Sequence, residues 1–473
     1  MPVFFFLGLV MAGCGSGDWH ILFDGETFDG WEASENQDSW IIEDNAIVTN
    51  GPRSHLFYTG DVMDHDFRNF EFMADVKTLP GANSGIYIHT EFQEEEWPAK
   101  GYECQVINSP PDAPEGSYVE RKMTGSIYAI SNTWKSPVPD NEWFTYRITV
   151  QGKTIQTFIN DQLIAEYTEP ENPHRPESFS GRLLSSGTFA FQCHDPGSRV
   201  YYKNIKVKPL PDNLPTPGQA LDDPEFEAKI VDLGASNFPL VDLHVHLKQG
   251  LTLEDALKNA RLYGYTYGIA INCGLKMGYE TDEAVLEFLD HYPRPPHAWL
   301  AMQAEGREWL DMFSEEVISK FDYVFTDAMT WTNDNGKRMR LWIPDETEVG
   351  DPQDFMEQLV DRIEKILANE PIDIYVNPTY LPAEINDRYD ELWTPERMDR
   401  VIKALVDNQV AFEINNARRI PSPTFIKHAK EAGVKFTFGT NNGSASDLGR
   451  MDYALEMITE CGITSADMWM PEN

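Results

Sequence analysis

Polarity alternates with two different rhythms along the chain. Between residues 18 and about 210, apolar positions recur every second residue in short runs: Glu71–Lys77 (EFMADVK), Gly85–Thr90 (GIYIHT), Tyr102–Ile107 (YECQVI), Ser126–Ile130, Thr145–Gln151, Ile155–Ile159, Thr188–His194 and Val200–Lys206. Gly, Pro, Asn and Asp separate these runs, a pattern that predicts an all-β sandwich. Asn160-Asp161, between TIQTFI and QLIAEY, predicts a hairpin turn. Residues 209–236 are rich in Pro and acidic residues, and 211–236 is predicted to be a linker.

From about 237 the rhythm changes. Strand-like runs Leu240–His246, Tyr267–Asn272, His297–Gln303, Tyr323–Asp327, Ile372–Asn377, Ala411–Asn415 and Lys435–Gly439 alternate with helical runs at 253–263, 282–291, 307–320, 353–369, 395–408, 423–432 and 447–461. Thr252, Thr281 and Thr394 stand at N-cap positions, Pro395 at a first helical position, and Gly264 and Gly433 where C-caps belong. About seven β/α units predict a TIM-like α/β barrel over 237–473. With no Gly-rich phosphate fingerprint, no nucleotide cofactor is expected.

Residues 1–17 are different again. Pro2–Ala12 (PVFFFLGLVMA) has the length of a signal h-region and is too short to span a bilayer. Met11-Ala12-Gly13-Cys14 resembles a bacterial lipobox in which Cys14 is lipidated, although Met11 replaces the usual Leu and no Lys or Arg precedes the run. The expectation is an exported protein of the periplasm or outer membrane, touching membrane only through a lipid anchor.

The 473 residues carry 38 Lys and Arg against 77 Asp and Glu, a net charge of −39. That disfavours nucleic acid, whose phosphates need clustered cations. The five cysteines form no C-x-x-C pair, which disfavours a thiolate zinc cluster. Cys104 and Cys193 point into one predicted core, as a disulfide or as two buried thiols.

Alternation also assigns faces in the first domain. Ile86 and Ile88 point inward, so Tyr87 and His89 point outward. Cys104 and Val106 take the inner side, leaving Glu103 and Gln105 outside. Phe189, Phe191 and Cys193 go inward, and Gln192 and His194 outward. These pairs, with Tyr128 as a second ring, predict a polar cleft suited to a carbohydrate.

The stretches ILFDG (21–25) with Gly30-Trp31, NSGIYIH (83–89), GYECQVI (101–107), TGSIY (124–128), Glu142-Trp143, FIND (158–161) and FQCHDPGSRVYYKNI (191–205) resemble the 3-keto-disaccharide hydrolase family over about residues 19–210. The resemblance implies a lectin-like, concanavalin-like jelly roll that cleaves glycosides already oxidised at carbon 3. It places Glu103, Gln105, Tyr128, His194 and Asp195 on the family's recurrent polar positions, with His89 where many members carry Arg. Under it Glu103 and His194 are the acid/base pair in unspecified order, Tyr128 and Gln105 steady the enolate or the sugar, and Tyr87, His89, Gln192 and Asp195 bind substrate. A divalent ion near Glu103, His194 and Asp195 is a further expectation. The competing reading is a non-catalytic carbohydrate-binding module.

In the second domain Leu240–Leu247 (LVDLHVHL) puts His244 and His246 on one side of a strand. The motif resembles polymerase-and-histidinol-phosphatase (PHP) and amidohydrolase-like metal hydrolases. Asn272-Cys273, Asn377-Pro378 and Thr440-Asn441-Asn442-Gly443 replace ligand motifs of that pattern. His244, His246, Glu305 and Asp327 are therefore expected to hold a single divalent ion. The alternatives are an active metal hydrolase or a barrel that binds a ligand or scaffolds.

Overall fold

A computed structural model describes residues 18–472 apart from 112, 113, 115, 116 and 334. The expected export segment and Cys14 lie outside the described residues.

Thirteen strands build the first half: β1 His20–Ile21, β2 Trp31–Ala33, β3 Trp40–Glu43, β4 Ala46–Thr49, β5 Ser54–Tyr58, β6 Phe70–Thr78, β7 Ser84–Thr90, β8 Tyr102–Val106, β9 Phe144–Gln151, β10 Thr154–Ile159, β11 Gln162–Thr168, β12 Thr188–Cys193 and β13 Val200–Pro209. One sheet runs β11-β10-β9-β6-β13-β4-β3, with β1 beside β13, and the facing sheet runs β2-β5-β12-β7-β8. This is the expected jelly-roll-like sandwich. On β6 the residues Phe70, Phe72, Ala74 and Val76 are buried while their neighbours are half exposed. Ile86, Ile88, Cys104, Val106, Phe189 and Phe191 meet them from the other sheet in one core. Each of the buried Phe, Ile and Val side chains contributes roughly 1.5–3 kcal/mol by leaving water.

Asn160 and Asp161 both have positive φ, 47° and 64°, as the β10–β11 hairpin requires. Cys104 and Cys193 are free buried thiols, and the Cys193 thiol donates to the Gly51 carbonyl. Ser126–Ile130, expected as a strand, is instead a turn. Ala129 adopts φ 66°, and only isolated bridges involve Ile127.

The second half has β14 Val241–Val245, β15 Thr266–Gly274, β16 Trp299–Glu305, β17 Tyr323–Thr326, the hairpin β18 Thr330–Thr332 and β19 Arg338–Arg340, then β20 Ile374–Tyr375, β21 Ala411–Asn415 and β22 Phe436–Gly439. Apart from the hairpin, these strands form one parallel sheet in chain order. The last turn nearly closes it onto the first strand. Asn441 N donates to His244 O at 2.8 Å, Thr440 N to Asp242 Oδ1 at 2.8 Å, and His246 N to Asn442 Oδ1 at 2.7 Å. Gly439 is needed at this closure, since a Cβ there would lie 2.8 Å from the Cβ of His244.

The helices are α1 Pro224–Ala235, α2 Leu253–Tyr263, α3 Asp282–His291, α4 Trp309–Met312, α5 Glu315–Ile318, α6 Pro352–Asn369, α7 Tyr389–Leu392, α8 Pro395–Asn408, α9 Pro423–Glu431 and α10 Asp452–Cys461. Thr252, Thr281 and Thr394 cap α2, α3 and α8 by accepting backbone N–H bonds. The single helix expected at 307–320 is split into α4 and α5, because Ser314 caps a new start by accepting from Val317 N.

The expected linker 211–236 is half helix. Asp223 accepts from Phe226 N at 3.0 Å and Pro224 takes the first position of α1. Phe226 and Ile230 pack into the barrel core while Val231 reaches the sandwich core. Trp134 of the sandwich is buried in the barrel core, and its N–H donates to Thr266 Oγ1 at 3.0 Å. The two halves are therefore docked through apolar contact.

Candidate active site

The site grows from the register of β8, β7 and β12. Glu103 lies opposite Tyr87, Gln105 opposite Gly85, and Ala190 opposite Tyr87. Phe191 lies opposite Ile86, and continued by one residue more the register sets Gln192 across Gly85. Gly85 has no side chain, and a Cβ there would sit 2.6 Å from Glu103 Oε1. Through that gap Gln192 Nε2 donates to Glu103 Oε1 at 2.8 Å.

A cavity of about 690 Å³ opens over these strands, a size suited to a small ligand. Glu103, Gln105, Tyr87, Gln192, His194 and Asp195 line it, as expected, together with Tyr128. Glu103 is only 4% exposed, and its Oε2 accepts from Arg182 Nη2 at 2.9 Å. Gln105 Nε2 donates to Asn83 Oδ1 at 3.1 Å. His194 Nδ1 donates to Asp195 Oδ2 at 2.8 Å, leaving Nε2 for proton transfer. Burial works to raise the Asp195 carboxyl, but hydrogen bonds from Ser198, His194 and Gly197 hold it below the usual range.

The loops contribute residues that alternation does not reveal. Arg182 is buried, its second terminal nitrogen Nη1 has no hydrogen-bond partner among the described residues, and its guanidinium lies 5.3 Å from the Tyr128 ring. Glu120 pairs with the fully buried Lys122 at 2.8 Å and accepts from both Tyr118 and Tyr128 at 2.8 Å. Burial and the Glu120 carboxylate keep the Tyr128 phenol protonated, far above its ordinary range. Trp97, partly exposed, stands 5.2 Å from the His194 ring and offers a flat wall for a sugar face.

His89 corrects the face assignment. Its φ of 53° interrupts the alternation at the end of β7 and turns the ring into the interior, 5.7 Å from Phe70. There Nε2 donates to Arg68 O at 2.8 Å and Nδ1 accepts from Ser185 N at 3.2 Å. His89 does not line the cavity.

Comparison with known proteins decides what this cleft is similar to. Residues 18–208 match the 3-keto-alpha-glucoside-1,2-lyase-like domain. A 3-keto-disaccharide hydrolase of Bacteroides thetaiotaomicron is 29% identical over 226 residues, which cover 40% of this chain and 77% of that protein. A candidate glycosyl hydrolase from Parabacteroides distasonis, known from a crystal structure, is 25% identical with a TM-score of 0.35, covering 41% of this chain and 94% of that one. The domain match ends before the barrel.

In the barrel the four expected ligands are all buried and hydrogen-bonded, in more than one set. His244 Nδ1 donates to Glu413 Oε1 at 2.6 Å and His246 Nδ1 to Ala270 O at 3.1 Å, and neither buried Nε2 makes a hydrogen bond of normal geometry among the described residues. The rings are 5.1 Å apart. Glu305 instead accepts from Asn272, Gln303 and Thr330, and Asp327 from Met329 N and Asn377. Burial, with the nearby Asp327 carboxylate, pushes Glu305 up to about 8. Among the described residues no group of three or more His, Cys, Asp or Glu side chains is gathered to hold an ion. In the sandwich, Glu103 and Asp195 are likewise engaged by protein donors. Among the described residues the two imidazoles share one side of the barrel mouth, while the Glu305 and Asp327 carboxylates are turned to protein donors.

Proposed function

We propose that the sandwich cleft cleaves glycosides carrying a ketone at carbon 3 by elimination and hydration. The supporting observation is one cavity holding a buried carboxylate, Glu103, a His194–Asp195 pair and an unsatisfied Arg182 donor. The similarity of residues 18–208 to the 3-keto-alpha-glucoside-1,2-lyase-like domain supports the substrate class.

The ketone acidifies the proton on carbon 2. A base removes it, the electron pair moves onto the ketone oxygen, and the enolate expels the aglycone from carbon 1 with a proton from an acid. Water then adds to the enone at carbon 1, carbon 2 regains a proton, and the keto-sugar is released. Glu103 and His194 carry these proton transfers. Arg182, charged and with Nη1 unpartnered among the described residues, faces the negative charge that develops on the enolate oxygen. Tyr128 already donates to Glu120 and stays protonated, so it shapes the wall and accepts from sugar hydroxyls. Gln105, Gln192, Tyr87 and Trp97 orient the sugar. Export through Pro2–Ala12 with lipidation at Cys14 belongs to the same proposal and rests on the sequence.

The test is incubation of the whole protein with a 3-keto-disaccharide and with its unoxidised parent, products being separated by chromatography. Release of monosaccharide from the oxidised sugar alone is expected. Binding of both without release would favour a carbohydrate-binding module.

A further inference from the structure

The sandwich cleft accounts for less than half of the chain, and the barrel has a cavity of its own. It measures about 510 Å³ and opens at the carboxyl ends of the parallel strands, where β/α barrels place ligands. Its inner wall is rich in amides: Asn272 and Gln303 from β15 and β16, and Asn377, Asn441 and Asn442 from the turns after β20 and β22. These amides are held in place rather than loose. Asn272 and Gln303 both donate to Glu305 Oε1, at 3.3 and 2.9 Å, and Asn377 donates to Asp327 Oδ2 at 3.0 Å while accepting from Asn441 at 2.9 Å.

Lys248, Lys276 and Arg418 stand around the same mouth. None of the three has a carboxylate oxygen within 4 Å among the described residues, and Arg418 only stacks over the Tyr380 ring at 4.6 Å. The contrast with their neighbours is sharp. Lys337 pairs with Glu348 at 2.9 Å, Arg338 with Glu308, and Arg340 with Glu346 at 2.5 Å. Other basic side chains of the chain also lack an ion pair, but these three are gathered at one cavity mouth. Lys248 and Arg418 repel each other across this mouth, with the buried Glu305 and Asp327 carboxyls deeper in the same cavity, and an anion entering at the rim relieves that repulsion.

We propose that the barrel mouth is a second ligand site, taking a monosaccharide-sized, hydroxyl-rich anion. Its carboxylate or phosphate lies among Lys248, Lys276 and Arg418, and its hydroxyls meet the amides of Asn272, Gln303, Asn377 and Asn441. The cations supply charge-assisted bonds at the rim, and the fixed amides supply both donors and acceptors deeper in, the combination that separates an acidic sugar from a neutral one. The proposal is independent of the reaction in the sandwich.

Calorimetric titration of the full chain with D-glucuronate, D-glucose 6-phosphate and D-glucose tests it. At least one of the two anions is expected to bind roughly tenfold or more tighter than glucose, the scale of a lost charge-assisted hydrogen bond. Preference for glucuronate assigns a carboxylate, and preference for glucose 6-phosphate a phosphate. Lys248→Ala and Arg418→Ala, both at a solvent-reached rim, should each weaken that anion about tenfold. Glu103→Gln, in the other domain, should leave it unchanged. The proposal is overturned if glucose binds as well as both anions, if the affinity ignores both rim substitutions, or if Glu103→Gln abolishes binding.

Discussion

Lys122 Nζ donates to Asn237 Oδ1 at 3.2 Å, so a residue at the start of the barrel holds a wall of the sandwich cleft. The same Asn237 oxygen accepts from Arg121 N at 3.1 Å, and its Nδ2 donates to Val119 O at 2.7 Å. Asn237 thus clamps the segment that delivers Glu120 to the cavity, with the buried Lys122 paired behind it. Asn237→Ala leaves Lys122 buried without its neutral partner, a cost of about 1–3 kcal/mol. Turnover should fall about tenfold, while barrel-anion binding by calorimetry stays unchanged. A variant as active as the parent would show that the clamp is irrelevant to the cleft.

Glu103→Gln and His194→Ala are each expected to lower kcat on a 3-keto-glycoside by ~100-fold or more, as a lost acid/base group does. Circular dichroism and melting must first show both variants folded. Folded variants of near-normal activity would remove these two residues from the chemistry.

His89→Gln is expected to lower the melting temperature while leaving the KM of the folded enzyme near that of the parent. The ring ties Arg68 O to Ser185 N inside the sandwich and does not line the cavity. A large rise in KM at unchanged stability would return His89 to the binding face.

These residues also show what the sequence made legible. Alternation places Tyr87, Glu103, Gln105 and Gln192 on the cleft because β7, β8 and β12 keep extended backbone through those positions. It fails at His89, where a left-handed φ breaks the two-residue period. It is silent on Glu120, Lys122 and Arg182, which lie on loops and have no period to read. The barrel helices were legible from their Thr caps and the 3.6-residue rhythm. Helix α1 was masked by the Pro-rich, acidic composition around it, although Asp223-Pro224 is a helix-start signal. The metal expectation joined two histidines alternating on a strand to Glu305 and Asp327 at later strand ends; strand period fixes the shared side of His244 and His246, whereas how close the two carboxylates come depends on the barrel's closure.

Burial holds the His297 imidazole down to about 3, and among the described residues neither ring nitrogen has a hydrogen-bond partner. Its folded pKa lies below the unfolded value of about 6.5, so the unfolded chain takes up the proton first. The stability this group contributes is complete above pH ~6.5 and is lost as the pH falls toward about 3, by up to ~1.4 kcal/mol per pH unit. His297→Phe should therefore flatten the fall in melting temperature between pH 7 and pH 5. An unchanged slope would mean the ring charges without penalty in the fold.

The released sugar itself tests the central claim most directly. Elimination breaks the bond between carbon 2 and its hydrogen, and hydration delivers a solvent proton to that carbon. The whole protein is incubated with a 3-keto-disaccharide in deuterium oxide, and the monosaccharide is analysed by mass spectrometry and NMR at early times, with correction for exchange in the enzyme-free control. The account predicts one deuterium at carbon 2 for each bond cleaved. Cleavage with protium retained at carbon 2 would contradict it and assign direct displacement at carbon 1 instead.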